Sequence, residues 1–143
     1  MYDLSGASVD QRLTNIFTRA VAGAGDATLI AGLVVGGSVP KRVMIRAAGP
    51  ALAQFGLTGV LAQPQLTLLA AGSVTVAENA GWSASPDAAL IGDAAGRVGA
   101  CAFPAGSPHA ARVVNLAPGS ATAQVVAVGG GTEIVLLEVY ALP

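Results

Sequence analysis

One histidine, His109, and one cysteine, Cys101, occur in 143 residues. A site built from several histidines is thereby excluded, and neither C-x-x-C nor H-E-x-x-H is present to hold zinc. The carboxylates Asp3, Asp10, Asp26, Glu78, Asp87, Asp93, Glu133 and Glu138 are scattered, without the D-x-D-x-D spacing of a calcium loop. A cation bridging the loops near Glu78 and Asp87 is the arrangement their spacing leaves open. A Ser-His-Asp triad assembles in space rather than along the chain, so His109 remains a formal candidate. No G-x-S-x-G elbow presents a nucleophile, however. His109 follows Gly106-Ser107-Pro108, a turn entering a strand, where a surface or strand-edge histidine is the ordinary reading. Cys101 reads as a small buried apolar residue. No residue is assigned to catalysis, to a cofactor or to a metal.

The glycine clusters invite a second chemistry, phosphate binding. Gly23-Ala24-Gly25 resembles the start of a dinucleotide loop, but Thr28 stands at the third glycine position and no βαβ unit surrounds it. Gly129-Gly130-Gly131 is followed by no P-loop lysine. Both read as turns. Trp82, in Glu78-Asn79-Ala80-Gly81-Trp82, could stack on a sugar ring; plugging one end of a sandwich core is the favoured role.

The composition restricts the function classes further. Seven basic and eight acidic residues make the chain 10% charged, against about 25% in an ordinary soluble domain. With 53% hydrophobic residues and a mean hydropathy of +0.65, the surface carries little charge to keep neighbours apart. A net charge of −1, no basic stripe and only six aromatic residues give nucleic acid neither its electrostatic footprint nor its stacking partners. No 18-residue apolar helix fits: the charge-free stretch 47–77 is broken by Gly49-Pro50, Gly56, Gln63-Pro64-Gln65 and Gly72. No signal peptide precedes the domain, so export implies a mature product or a fragment.

Segments rich in Val, Ile, Leu and Thr, bounded by Gly, Pro or Asp, place strands at 12–20, 28–35, 42–47, 65–70, 73–77, 109–116, 121–128 and 132–140. At Arg42-Val43-Met44-Ile45-Arg46 the alternation turns Val43 and Ile45 inward and both arginines out. The last strand is apolar on both faces, which predicts a central strand covered twice. Two stretches break the pattern as short helical insertions. One is 49–56, with Pro50 near its start and Gly56 at its end. The other is opened by Ser85 as N-cap, Pro86 at the first position and Asp87 against the helix dipole, and runs to about Val98. The expected fold is all-β: a single antiparallel sandwich of about eight strands over 12–143, Ig-like or jelly-roll-like, with 1–11 as an extended arm or junction.

The motifs R-L-T-N-I-F-T-R-A (12–20), G-x-G-D (23–26), L-I-A-G (29–32), P-K-R-V-M-I-R-A-A-G-P-A-L (40–52), F-G-L-T-G-V-L (55–61), E-N-A-G-W (78–82), R-V-G-A (97–100) and E-I-V-L-L-E-V-Y (133–140) follow in order along nearly the whole chain. Together they resemble a β-sandwich module, Ig-like, of bacterial surface and secreted proteins. The resemblance implies a module repeated in tandem within long exported proteins of environmental bacteria, without established activity. The chain departs from that pattern in two places. E-N-A-G-W is less acidic and less Asn-rich than usual, and Ala141 stands where related repeats tend to have Asp, as Asp3 does near the start.

The chain also echoes itself: Met1-Tyr2-Asp3-Leu4 lies over Val139-Tyr140-Ala141-Leu142 with Tyr and Leu in common. The echo, the sparse charge and the lack of a catalytic constellation predict a non-enzymatic extracellular or cell-surface module that binds copies of itself as a fibre or tandem array. Tyr2, Leu4 and Val9 would anchor the arm on a neighbouring sheet edge, and Tyr140 and Leu142 would complete the junction. The alternative is an adhesive, carbohydrate-binding module using Trp82 and nearby loops.

Overall fold

Alternation within Lys41–Ala48 sets the architecture, because this strand is buried on both faces from Val43 onward. Val43, Ile45 and Ala47 enter one apolar cluster, while Met44 and Ala48 enter another. A strand covered twice needs a layer on each side, and the chain supplies a second sheet on one side and a helix on the other. The computed structural model describes residues 2–3, 15–22, 28–36, 38–48, 63–71, 74–100, 103, 106, 108–127 and 133–142. The helical turn expected at 49–56, the glycine turns at 23–26 and 129–131, Leu4, Val9 and Cys101 lie outside those residues.

In chain order the strands are β1 (Tyr2–Asp3), β2 (Asn15–Ala22), β3 (Leu29–Val35), β4 (Lys41–Ala48), β5 (Pro64–Ala70), β6 (Val74–Asn79), β7 (Ala110–Leu116), β8 (Gly119–Ala127) and β9 (Glu133–Ala141). A 3-10 turn at Trp82–Ala84 and the helix α1 (Ala88–Val98) fall between β6 and β7. One sheet has the order β1-β3-β8-β5-β6 and the other β2-β9-β4-β7. Every pairing is antiparallel except β1 on β3, which run parallel with Tyr2 opposite Leu33 and Asp3 opposite Val34. The fold is thus an all-β sandwich, as the sequence predicts.

Between the sheets, Leu33, Val35, Leu66, Leu68 and Val125 meet Val43, Ile45, Val135, Leu137 and Val139. Strand β9 lies between β2 and β4 and contributes to both clusters, which is the central, doubly covered position its sequence predicts. The second cluster sits on the outer face of the four-stranded sheet. There Ile91, Ala94, Ala95 and Val98 recur at helical spacing along α1 and pack toward Met44, Val113, Leu136, Tyr140 and Leu142. The helix is closed by Gly99 in the left-handed conformation (φ 72°), and Ala100 N–H donates to Ala95 O at 2.9 Å.

The start of α1 differs from the sequence expectation. The helix opens at Ala88, whose N–H donates to Ser85 O at 3.1 Å. The Ser85 hydroxyl is taken up by Asp87 Oδ1 instead of a backbone N–H, so neither side chain caps the helix.

Candidate functional site

A charge in the apolar interior of a strand has to go somewhere, and β4 and β9 each carry one there, Arg46 and Glu138. Arg46 and Glu138 are paired in register across these strands, and both belong to the face covered by α1. Arg46 is 2% exposed and Glu138 5%, with Arg46 Nε 3.2 Å from Glu138 Oε2. The expectation that both arginines of β4 face outward therefore divides: Arg42 is exposed, whereas Arg46 points away from the inter-sheet core only to be roofed by the second layer. Tyr140, two residues from Glu138 on the same face, donates its hydroxyl to Glu138 Oε2 at 2.7 Å. The Phe103 ring covers the guanidinium, its centroid 3.8 Å from Arg46 Cζ.

His109 extends this stack. It is 2% exposed, immediately before β7, and its ring lies on Phe103 at 4.0 Å with 19° between the planes. It does stand at the edge of a strand, but the surface position read from its turn is corrected: the side chain is buried, with the Phe103 ring stacked on it. Burial pushes the imidazole down to about 4, with the Arg46 charge adding to the effect, so His109 is neutral at pH 7. Its ring lies there as an aromatic plate against Phe103.

Trp82 reaches the same place through a backbone device in the E-N-A-G-W loop. Asn79 folds the loop: its Nδ2 donates to Gly81 O, and its Oδ1 accepts from Gly81 N–H, both at 3.2 Å. The same Oδ1 accepts from Ala111 N–H at 3.1 Å, tying the loop to β7. Gly81 has φ 136°, a conformation that L side chains rarely adopt. Trp82 N–H then donates to His109 O at 2.9 Å. The half-buried indole packs against the second cluster, 6.5 Å from the Phe103 ring and inclined at 57°. It therefore sits over the outer layer and not at an end of the inter-sheet core.

These groups line a pocket of about 160 Å³. Arg46, Trp82 and Phe103 form one side, and Ile91, Gly92, Ala95 and Gly96 of α1 form another, with Ala100 completing the lining among the described residues. The pocket is apolar and aromatic apart from the one guanidinium.

The remaining sequence candidates are placed as follows. Tyr140 and Leu142 are buried in the second cluster, with Leu142 N–H donating to Arg42 O at 2.9 Å. Tyr2 lies in β1 against Leu33. Between Glu78 and Asp87, the position considered for a bridging cation, lies the Arg112 side chain. Its Nη1 donates to Glu78 O at 3.1 Å and its Nε to Asp87 Oδ2 at 3.3 Å. Burial raises the Asp87 carboxyl, but the Ser85 hydrogen bond and the Arg112 charge together hold it below 3.8. No group of three or more His, Cys, Asp or Glu that could hold a metal occurs among the described residues. No described helix is long and apolar enough to cross a membrane.

Sequence reasoning passed over Arg46, Glu138 and Phe103. Glu138 had a signal: it lies in the one strand that reads as covered on both faces, and a buried charge needs a partner. Arg46 reads as facing out, in a strand for which no second cover is expected. Phe103 had no signal, since its role depends on where the chain returns after α1.

No protein-family model matches this chain, and no curated protein sequence matches it. Among solved structures, it is similar to the pre-peptidase C-terminal domain of a collagenase from Bacillus anthracis. The two share 14% identity, with a TM-score of 0.49 over 88% of this chain and 89% of that one.

Proposed function

We propose that this chain is a non-enzymatic structural module of an extracellular bacterial protein, associating head to tail with copies of itself. Residues 1–11 act as an arm that adds a strand to a neighbour's sheet. The observation that carries this reading is the pairing of β1 on β3. Strand β3 spans seven residues at one side of the five-stranded sheet, and β1 lies against two of them. Among the described residues only Tyr2 and Asp3 occupy that side of β3, and a parallel segment of two residues is a small anchor that one copy can exchange with another. A strand lent from copy to copy in one direction is a heterologous contact, which propagates unless the rotation closes a ring. The sparse charge supports association, and the motif resemblance supports the extracellular bacterial setting.

The test is deletion of residues 1–9 from the full chain, read by circular dichroism, light scattering and negative-stain microscopy. A folded but dispersed domain is expected. Assemblies that persist unchanged would remove the arm from the account, and an intact protein that stays monomeric at high concentration would remove self-association.

A carbohydrate-binding reading would rest on Trp82 at the pocket. A sugar ring presents hydroxyl groups around its whole edge, whereas the described lining supplies only the Arg46 guanidinium and the Trp82 indole N–H. We therefore place self-association first. Glycan binding that vanishes in Trp82→Ala with folding intact would reverse the order.

A further inference from the structure

We propose that the pocket beneath α1 is a binding site for a small uncharged aromatic molecule. Size is the first argument. A volume of about 160 Å³ matches a cavity that accepts a single benzene-sized ring, on the order of 150 Å³. The walls are the second. Trp82 and Phe103 offer aromatic surfaces inclined to each other, and Ile91 and Ala95 offer aliphatic ones. Such walls reward a flat apolar guest by removing its surface from water.

The third argument concerns Gly92 and Gly96. Both lie inside α1, where a glycine costs roughly 0.5–1 kcal/mol relative to alanine. Neither has a positive φ, and a Cβ built on either would meet nothing within 4 Å. Nothing in the packing of the described residues calls for glycine there. Both line the pocket, one helical turn apart, so that what their missing side chains leave open is its mouth.

Charge selects the guest. The Arg46 guanidinium is balanced by Glu138 at 3.2 Å, and His109 behind Phe103 is neutral, so the site carries no net charge. A carboxylate guest would bring a second negative charge close to Glu138, and an ammonium guest would face Arg46 in apolar surroundings; both incur the cost of an uncompensated charge. A neutral guest such as an amide incurs neither.

The chain contains a single tryptophan, so indole fluorescence reports on this pocket alone. The full chain is titrated with benzamide, benzoate and benzylamine, three probes of one shape and different charge. A saturable change with benzamide is expected, with benzoate and benzylamine weaker by at least roughly tenfold. Gly96→Leu, which places a good helix former at the mouth, should keep the fold by circular dichroism and lose the response. Gly92→Ala serves as a second, milder obstruction and should weaken it. No saturable response to benzamide, equal affinity for all three probes, or a benzamide response unchanged in both folded glycine variants would each overturn the proposal.

Discussion

Arg46 and Glu138 face each other across β4 and β9 on the outer face of the four-stranded sheet, and α1, not solvent, covers them. Glu138 Oε2 receives both the ion pair from Arg46 and the Tyr140 hydroxyl, so one oxygen joins three side chains of two adjacent strands. Beyond the guanidinium, Phe103 and His109 continue the stack.

Removing either charge alone leaves the other buried. Arg46→Met and Glu138→Leu are each expected to destabilise the protein by about 3–5 kcal/mol. The double variant should recover much of that loss, because two apolar side chains in the same layer leave no charge uncompensated. Denaturant unfolding of the four proteins gives the coupling; additive losses would mean that the pair is not an energetic unit.

Tyr140→Phe isolates the hydroxyl. The ring keeps its place in the second cluster, while a buried carboxylate loses a donor at 2.7 Å. A loss of about 1.5–3 kcal/mol in unfolding free energy is expected, with the denaturant m-value unchanged.

His109 makes stability depend on pH in a defined window. Its pKa is about 4 when folded and 6.5 as the unperturbed value, so below 6.5 the unfolded chain binds the proton more readily. Stability is flat above 6.5 and falls as pH drops from 6.5 to about 4, by on the order of 3 kcal/mol at 1.36 kcal/mol per pH unit. Asp87, held below 3.8, adds its loss only at lower pH still. Melting temperature against pH should show the first decline, and His109→Phe should flatten it while leaving the Asp87 decline in place.

Glycines of the same helix separate by conformation. Gly99, at φ 72°, closes α1 in the left-handed region, so Gly99→Ala should cost about 1 kcal/mol. Gly92→Ala, at an ordinary helical position with open space around it, should stabilise by roughly 0.5–1 kcal/mol. Thermal unfolding of the two variants should move in opposite directions.

The strands were legible because period-two alternation and Gly or Pro punctuation are local. All eight segments read from the sequence correspond to β2 through β9, with ends displaced by up to three residues. Strand β1 was not legible as a strand: two residues have no alternation to read, and only their partner β3 defines them. Arg46 was read correctly for direction and wrongly for environment, because alternation says which face a side chain takes and not what covers that face. The pocket required Phe103 and Trp82 to return to one place from either side of α1, a relation set by packing and invisible to spacing. Gly92 and Gly96 stand in the sequence as poor helix residues inside a helix, and both line the pocket.

The two sheets would also set a length scale for the proposed assembly. Asp3 ends β1 in one sheet and Asn15 begins β2 in the other, twelve peptide steps apart. Fully extended, that tether reaches roughly 40 Å. A copy lending β1 to a neighbour must therefore sit almost shoulder to shoulder with it. In such an assembly, adding residues to the tether would loosen the spacing between copies while leaving every contact surface as it is.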